Sequence, residues 1–193
     1  MTRLSTASVL LLAAALGAAP KTKDKPVNLV VNGSFEEGPE FEVYKPLDPD
    51  STAMKGWVVT RGQIDIVVHT GDEWKAADGK RALDLHGSPG FGGVKQTLPT
   101  KAGQKYRVEF KMTTNMTGAD PRVKMAVRAA GADKEFELES GGRTHADPKW
   151  EKLTWEFTAK GDKTELEFHT AMSPPAYPFG GPMLDDVRVI AID

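Results

Sequence analysis

From Val27 onward the apolar positions recur every second residue, and this period of two predicts a chain built of strands. The clearest case is Tyr106-Arg107-Val108-Glu109-Phe110-Lys111-Met112, in which the even positions are apolar while Arg107, Glu109 and Lys111 face water. Val123, Met125 and Val127 repeat the pattern, as do residues 153–157 and 166–168. Further strands are predicted over 28–31, 56–60, 63–69, 81–86, 92–98, 134–138 and 184–190. Turn signals separate them, among them Asn32-Gly33, Asp78-Gly79, Ala102-Gly103, Ala130-Gly131 and Lys160-Gly161. No stretch sustains an amphipathic helical face for three turns. One apolar and one wet face per strand excludes a parallel α/β sheet, whose strands would be almost continuously apolar. The expected fold is all-β, an antiparallel β-sandwich or jelly roll.

The first residues read as an address. Arg3 precedes the apolar run Val9-Leu10-Leu11-Leu12-Ala13-Ala14-Ala15-Leu16, and Gly17-Ala18-Ala19 supplies small residues for cleavage. The run is too short for a membrane span, which needs about 20 apolar residues. The expected organisation is a signal peptide over 1–19, a polar linker over 20–26 and one domain over 27–193. Export follows as an expectation, without membrane insertion once the leader is removed.

Charge and cysteine content narrow the chemistry. With 25 Lys+Arg against 27 Asp+Glu the formal net charge is −2, so there is no polycationic footprint for nucleic acid or anionic lipid. The chain has no cysteine, which rules out a disulfide framework, a thiol nucleophile and a cysteine zinc site. Enzyme signatures are also missing. Gly87-Ser88-Pro89-Gly90 lacks the spacing of a nucleophile elbow, and the glycines from Gly87 to Gly93 lack the Gly-Lys-Ser/Thr ending of a phosphate loop. His69, His86, His145 and His169 are scattered, three of them near predicted strand ends, where a surface or rim position is expected. Asn32 and Asn115 each begin an Asn-x-Ser/Thr site.

Two regions carry candidate chemistry. In Leu184-Asp185-Asp186-Val187-Arg188-Val189, Asp185 shares parity with Val187 and Val189 and is expected to point toward the core. A buried carboxylate must be paired, hydrogen-bonded or metal-bound. Either it joins Glu36, Asp78 and Asp186 around a structural Ca²⁺, or Asp185 and Asp186 bond local backbone amides. The second region is a set of aromatics outside any alternating run: Trp74, and Tyr177 with Phe179. Loop aromatics give flat faces on which sugar rings stack, or else they plug the ends of the sandwich. Trp57 and Trp155 belong to the core by periodicity.

The residues Asn28-Leu29-Val30-Val31-Asn32-Gly33-Ser34-Phe35-Glu36, Gly56-Trp57, Trp74-Lys75-Ala76-Ala77-Asp78-Gly79 and Ala82-Leu83-Asp84-Leu85-His86-Gly87 together form an ordered set. With Gly93-Val94-Lys95-Gln96-Thr97, Gly103-Gln104-Lys105-Tyr106 and the closing Gly181-Pro182 and Asp185-Asp186-Val187, the set resembles the bacterial choice-of-anchor C domains and the related plant cell-wall family of unknown function. The resemblance implies a galactose-binding-like jelly roll, shared with many carbohydrate-binding modules. It also implies a structural Ca²⁺ held by Glu36 and Asp185 or Asp186, and a polysaccharide partner. The plant relatives carry cysteines and usually a longer chain, and this chain has neither. The bacterial family is named for varied C-terminal sorting anchors, whereas here the sequence stops at Ile190-Ala191-Ile192-Asp193, directly after the last expected strand. The expectation is therefore a periplasmic or freely secreted form rather than an anchored one. The expected function is a non-catalytic carbohydrate-binding module. The alternatives are a structural or adhesive envelope protein that binds another protein, and a polysaccharide-active enzyme.

Overall fold

The computed structural model describes residues 26–71, 73–87, 90–116, 121–173 and 180–193. The expected signal peptide and nearly all of the linker, along with Tyr177 and Phe179, lie outside these residues. Among them run eleven strands: β1 Tyr44–Leu47, β2 Val58–Arg61, β3 Ile64–Val68, β4 Arg81–Asp84, β5 Gly93–Pro99, β6 Lys105–Thr114, β7 Arg122–Ala129, β8 Ala132–Glu139, β9 Glu151–Thr158, β10 Lys163–Thr170 and β11 Pro182–Ile192. No helix occurs among the described residues.

The strands form a six-stranded sheet ordered β1-β3-β4-β11-β6-β9 and a five-stranded sheet ordered β2-β5-β10-β7-β8. The two sheets enclose one main core. Ile64, Ile66, Leu83, Val108, Phe110, Met112 and Leu184 reach it from the first sheet; Val59, Val94, Leu98, Val123, Met125, Leu166 and Phe168 reach it from the second. The aromatic spine of that core runs Phe35, Trp57, Phe168, Phe110 and Phe136, with successive ring centroids 5.1–6.4 Å apart. Such edge-on and tilted pairs add to the burial of their area, which itself stabilises by about 25 cal/mol per Å² of apolar surface. The all-β antiparallel sandwich expected from the sequence is the fold observed.

Three local departures from simple alternation shape the molecule. Residues 28–31 are not a ladder strand, because side chains replace its partners. Asn28 Oδ1 accepts from the Val189 amide at 2.9 Å, and the buried Gln96 amide both donates to Val31 O at 2.9 Å and accepts from Val31 N at 2.7 Å. β1 is an edge strand that the period of two does not predict; Tyr44-Lys45-Pro46-Leu47 contains a proline, which sheets tolerate only at an edge. The third departure is a bulge in β11, where the register with β6 shifts between Asp185 and Arg188 and Asp186 takes a φ of 47°.

That bulge corrects the expected orientation of Asp185. Leu184 packs in the core, so Asp185 points to the opposite, outer face of the six-stranded sheet; the extra residue then returns Val187 and Val189 to the core. Asp185 is nevertheless fully buried, because the loop of residues 74–80 covers it from outside.

Candidate functional site

The outer face of the six-stranded sheet is built by the residues that alternate with the core. On β3 these are Asp65 and Val67, on β4 Ala82 and Asp84, on β11 Met183, and on β6 Thr113. The cross-strand register sets Tyr44 opposite Val67, Pro46 opposite Asp65, and Asp65 opposite Asp84. A groove of about 370 Å³ lies over this face, lined by Val43, Tyr44, Pro46, Gln63, Asp65, Val67, Trp74, Asp84, His86, Asn115 and Gly180.

Its apolar wall has two aromatic residues of different character. Tyr44 is 61 % exposed, held by the edge strand with its ring uncovered. Trp74 is half-buried in a loop, at a φ of 57°. It packs over Val67, Ala82 and Met183 and stacks on His145 with centroids 4.0 Å apart. That loop is locked to its neighbour by Trp150 Nε1 donating to Lys75 O at 2.8 Å and by Lys75 N donating to His145 O at 3.2 Å. Trp74 thus packs one surface against the sheet and the neighbouring loop and also lines the groove.

The floor is acidic. Asp84 is buried, with Oδ1 accepting from His86 N at 2.8 Å and Oδ2 from Asn115 Nδ2 at 2.6 Å. Burial pushes its carboxyl up to about 7, against the two hydrogen bonds, and the neighbouring Asp65 adds to the rise. Burial also raises Asp65, whose Oδ1 has no protein hydrogen-bond partner among the described residues. Two acids directly opposite on adjacent strands resist full ionisation together. Gln63 is oriented by donating to Asp48 Oδ1 at 2.8 Å. His86, expected at the surface or a rim, lines the groove and is buried there.

The four residues expected to hold calcium are placed differently. Asp185 Oδ2 accepts from Ala77 N at 2.7 Å and Asp78 N at 2.9 Å, and Oδ1 accepts from Asp186 N at 2.6 Å. Glu36 Oε1 accepts from Lys80 N and Arg81 N, both at 2.8 Å. Asp186 lies 3.5 Å from Lys111 Nζ, and Asp78 is exposed on the covering loop. Gly79 has a φ of 68°, and any Cβ there would come within 2.5 Å of Glu36 Oε1. The carboxylates of Asp185 and Glu36 are taken up by backbone amides. Among the described residues no group of three or more His, Asp or Glu side chains is arranged to hold a metal ion. The donor set fits loop anchoring rather than a calcium cage.

The opening motif has a structural meaning of the same kind. Asn32 takes a φ of 55°, its side chain bridging Glu37 and Lys55 while its carbonyl accepts from Trp57 Nε1 at 3.0 Å. Gly33 lies so close to β11 that a Cβ would meet Val187 O at 2.0 Å, and Phe35 is fully buried.

Sequence reasoning did not single out Tyr44, Asp65, Asp84 or Asn115 as site residues. A signal for the two acids was present: Ile64-Asp65-Ile66 and Leu83-Asp84-Leu85 are the same acid flanked by large aliphatics in two predicted strands.

The fold is that of the carbohydrate-binding-module sandwiches. The structure is similar to TmCBM61 solved in complex with beta-1,4-galactotriose, with 18 % identity, 86 % of this chain and 99 % of that one covered, and a TM-score of 0.55. It is similar to the CBM22-1 xylan-binding domain of Paenibacillus barcinonensis Xyn10C at 15 % identity, with 89 % and 99 % covered and a TM-score of 0.53. It is also similar to 26 % of the MgGH51 α-L-arabinofuranosidase, at 11 % identity over 85 % of this chain and a TM-score of 0.53. At these identities the likeness is one of fold. By sequence, residues 28–190 match the family described as protein of unknown function (DUF642), and the chain belongs to that family. It is 30 % identical over 170 residues to Halomucin of Haloquadratum walsbyi (strain DSM 16790 / HBSQ001); the match covers 84 % of this chain and 2 % of Halomucin.

Proposed function

We propose that this chain is an exported glycan-binding module, and that the groove on the outer face of its six-stranded sheet is where the glycan lies. The observation that carries the reading is the pairing of an exposed tyrosine and a loop-held tryptophan with a floor of hydrogen-bonding side chains: Asp65, Asp84, Asn115 and Gln63. Sugar rings offer an apolar face and a rim of hydroxyls, and this lining matches both. The fold likeness to modules described with beta-1,4-galactotriose and with xylan supports the class of ligand. The apolar leader and the choice-of-anchor C resemblance support export, to the envelope or the medium.

The test is retention in native gels containing galactan, xylan, mannan or glucan. The protein is expected to be retarded by at least one polymer, and Tyr44→Ala to lose that retardation at an unchanged melting temperature. Absence of retardation by every polymer contradicts the reading.

A second reading, a polysaccharide hydrolase, is favoured by the facing acids Asp65 and Asp84. Glycoside hydrolysis needs two carboxyl groups flanking the scissile bond, one of them free to give or take a proton. Here both oxygens of Asp84 already accept hydrogen bonds, and both acids share one floor. Release of reducing ends from the retained polymer, abolished in Asp65→Asn, would select hydrolysis over binding.

A further inference from the structure

The lining of the groove has a one-sided charge. Among the described residues two carboxylic acids line it and no lysine or arginine does. Lys45 and Lys75 adjoin Tyr44 and Trp74 in the chain, yet neither is among the lining residues. The segments 88–89, 117–120 and 174–179, which lie outside the described residues, contain no lysine or arginine in their sequence. Proteins that recognise carboxylate or sulfate groups do so with guanidinium and ammonium donors, often in bidentate pairs. Among the described residues nothing of that kind lines this groove.

The acids also define what a ligand must bring. Among the described residues Asp65 Oδ1 is buried without a protein donor, and an unsatisfied buried acceptor is costly. The Asp65 carboxyl lines the groove, and a sugar hydroxyl lying there can donate to it. A uronate carboxylate or a sulfate ester supplies only acceptors at neutral pH, and sets a like charge beside Asp65 in a partly desolvated site, where repulsion is stronger than in water.

We infer that the groove selects its glycan by charge, accepting neutral polymers and rejecting uronic-acid-bearing or sulfated ones, with Asp65 as the rejecting group. This rests on the glycan-binding reading above. Asp84 contributes less directly, because its oxygens are engaged by Asn115 and the His86 amide. Asp65 lines the same groove with no donor on its Oδ1 among the described residues.

The experiment compares one polymer in two charge states. Galactan, mannan and glucan are each offered in native form and after partial oxidation at C6 to the uronate, at pH 8 and low salt, to the wild-type protein and to Asp65→Asn. The wild type is expected to bind the oxidised form at least tenfold more weakly than the native polymer. That gap is expected to shrink as salt is added. In Asp65→Asn the ratio between the two forms is expected to fall to threefold or less, with a melting temperature no lower than that of the wild type. Equal or tighter binding of the oxidised polymer overturns the charge inference and leaves the glycan reading standing. An unchanged ratio in Asp65→Asn overturns the assignment to that residue. If no polymer in either form is bound, the glycan reading itself fails.

Discussion

Asp84 and Asp185 lie on neighbouring strands, on the same outer face of the same sheet, and both are almost without solvent contact. Their oxygens meet different surroundings. Asp185 sits beneath the 74–80 loop with three backbone amides donating to it, and nothing about it is open to a ligand. Asp84 belongs to a groove, braces Asn115 and the residue 86 amide, and stands opposite Asp65, which keeps a buried oxygen without a donor among the described residues. Burial of an acid is therefore a poor guide to function by itself. The number of donors the protein has already supplied distinguishes an anchor from a contact point.

Replacing each member of the pair should break different properties. The largest effect is expected from Asp185→Ala, which leaves three amides under the covering loop without their acceptor. A loss of about 3 kcal/mol or more is expected. For a domain of this size it corresponds to a melting temperature lower by roughly 6–12 °C, read by calorimetry.

Next comes the groove. Tyr44→Ala removes an exposed ring and so is expected to leave the melting temperature within about 2 °C while weakening glycan retention tenfold or more, or about 1.4 kcal/mol. A fall in stability without a fall in retention would reverse the assignment of the two regions.

A smaller effect separates the acids by pH. Burial raises the carboxyls of Asp84 and Asp185 to about 7 in the folded protein, against an ordinary value near 3.8. Each therefore binds its proton more tightly folded than unfolded. Its favourable contribution is complete below about pH 4 and is lost as pH rises toward 7. The wild type is expected to melt lower at pH 8 than at pH 5. In Asp84→Asn the decline should be shallower, by roughly 2–4 °C for each kcal/mol removed from the pH-dependent cost. A decline of the same depth in that variant would contradict the burial argument for Asp84.

The smallest effect concerns calcium. Since the oxygens of Asp185 and Oε1 of Glu36 are occupied by amides, melting curves in chelator and in excess Ca²⁺ should coincide. A clear rise with Ca²⁺ would show a site assembled from other donors.

The contrast between the two acids also explains how much of the molecule is legible in the chain. Strands from β2 to β11 announce themselves because one face is apolar and the other wet, so 106–112 or 153–157 can be assigned by parity alone. The groove hides in that rule. Asp65 and Asp84 occupy positions that alternation assigns to water, and only the pairing of β3 with β4 brings them together under a wall of aromatics. Tyr44 is hidden for a related reason: a four-residue edge strand containing Pro46 carries too little periodicity to be seen. Trp74 is legible as an aromatic outside the pattern, though its stacking on His145 joins loops far apart in the chain. Asp185 shows the limit of parity most directly. One extra residue at Asp186 reverses the face on which it lies, and of the three amides on its carboxylate only that of Asp186 is local, those of Ala77 and Asp78 coming from a loop distant in the chain.

The claim that the groove is the glycan site is tested most directly by mapping backbone amide chemical shifts during titration with a short neutral galacto- or xylo-oligosaccharide. A glycan seated in the groove is expected to concentrate the shifts at Tyr44, Asp65, Trp74, Asp84 and Asn115, on the outer face of the six-stranded sheet. Shifts confined to the far end, around Ala130, Gly131 and Lys160, or scattered over the five-stranded sheet, would contradict it.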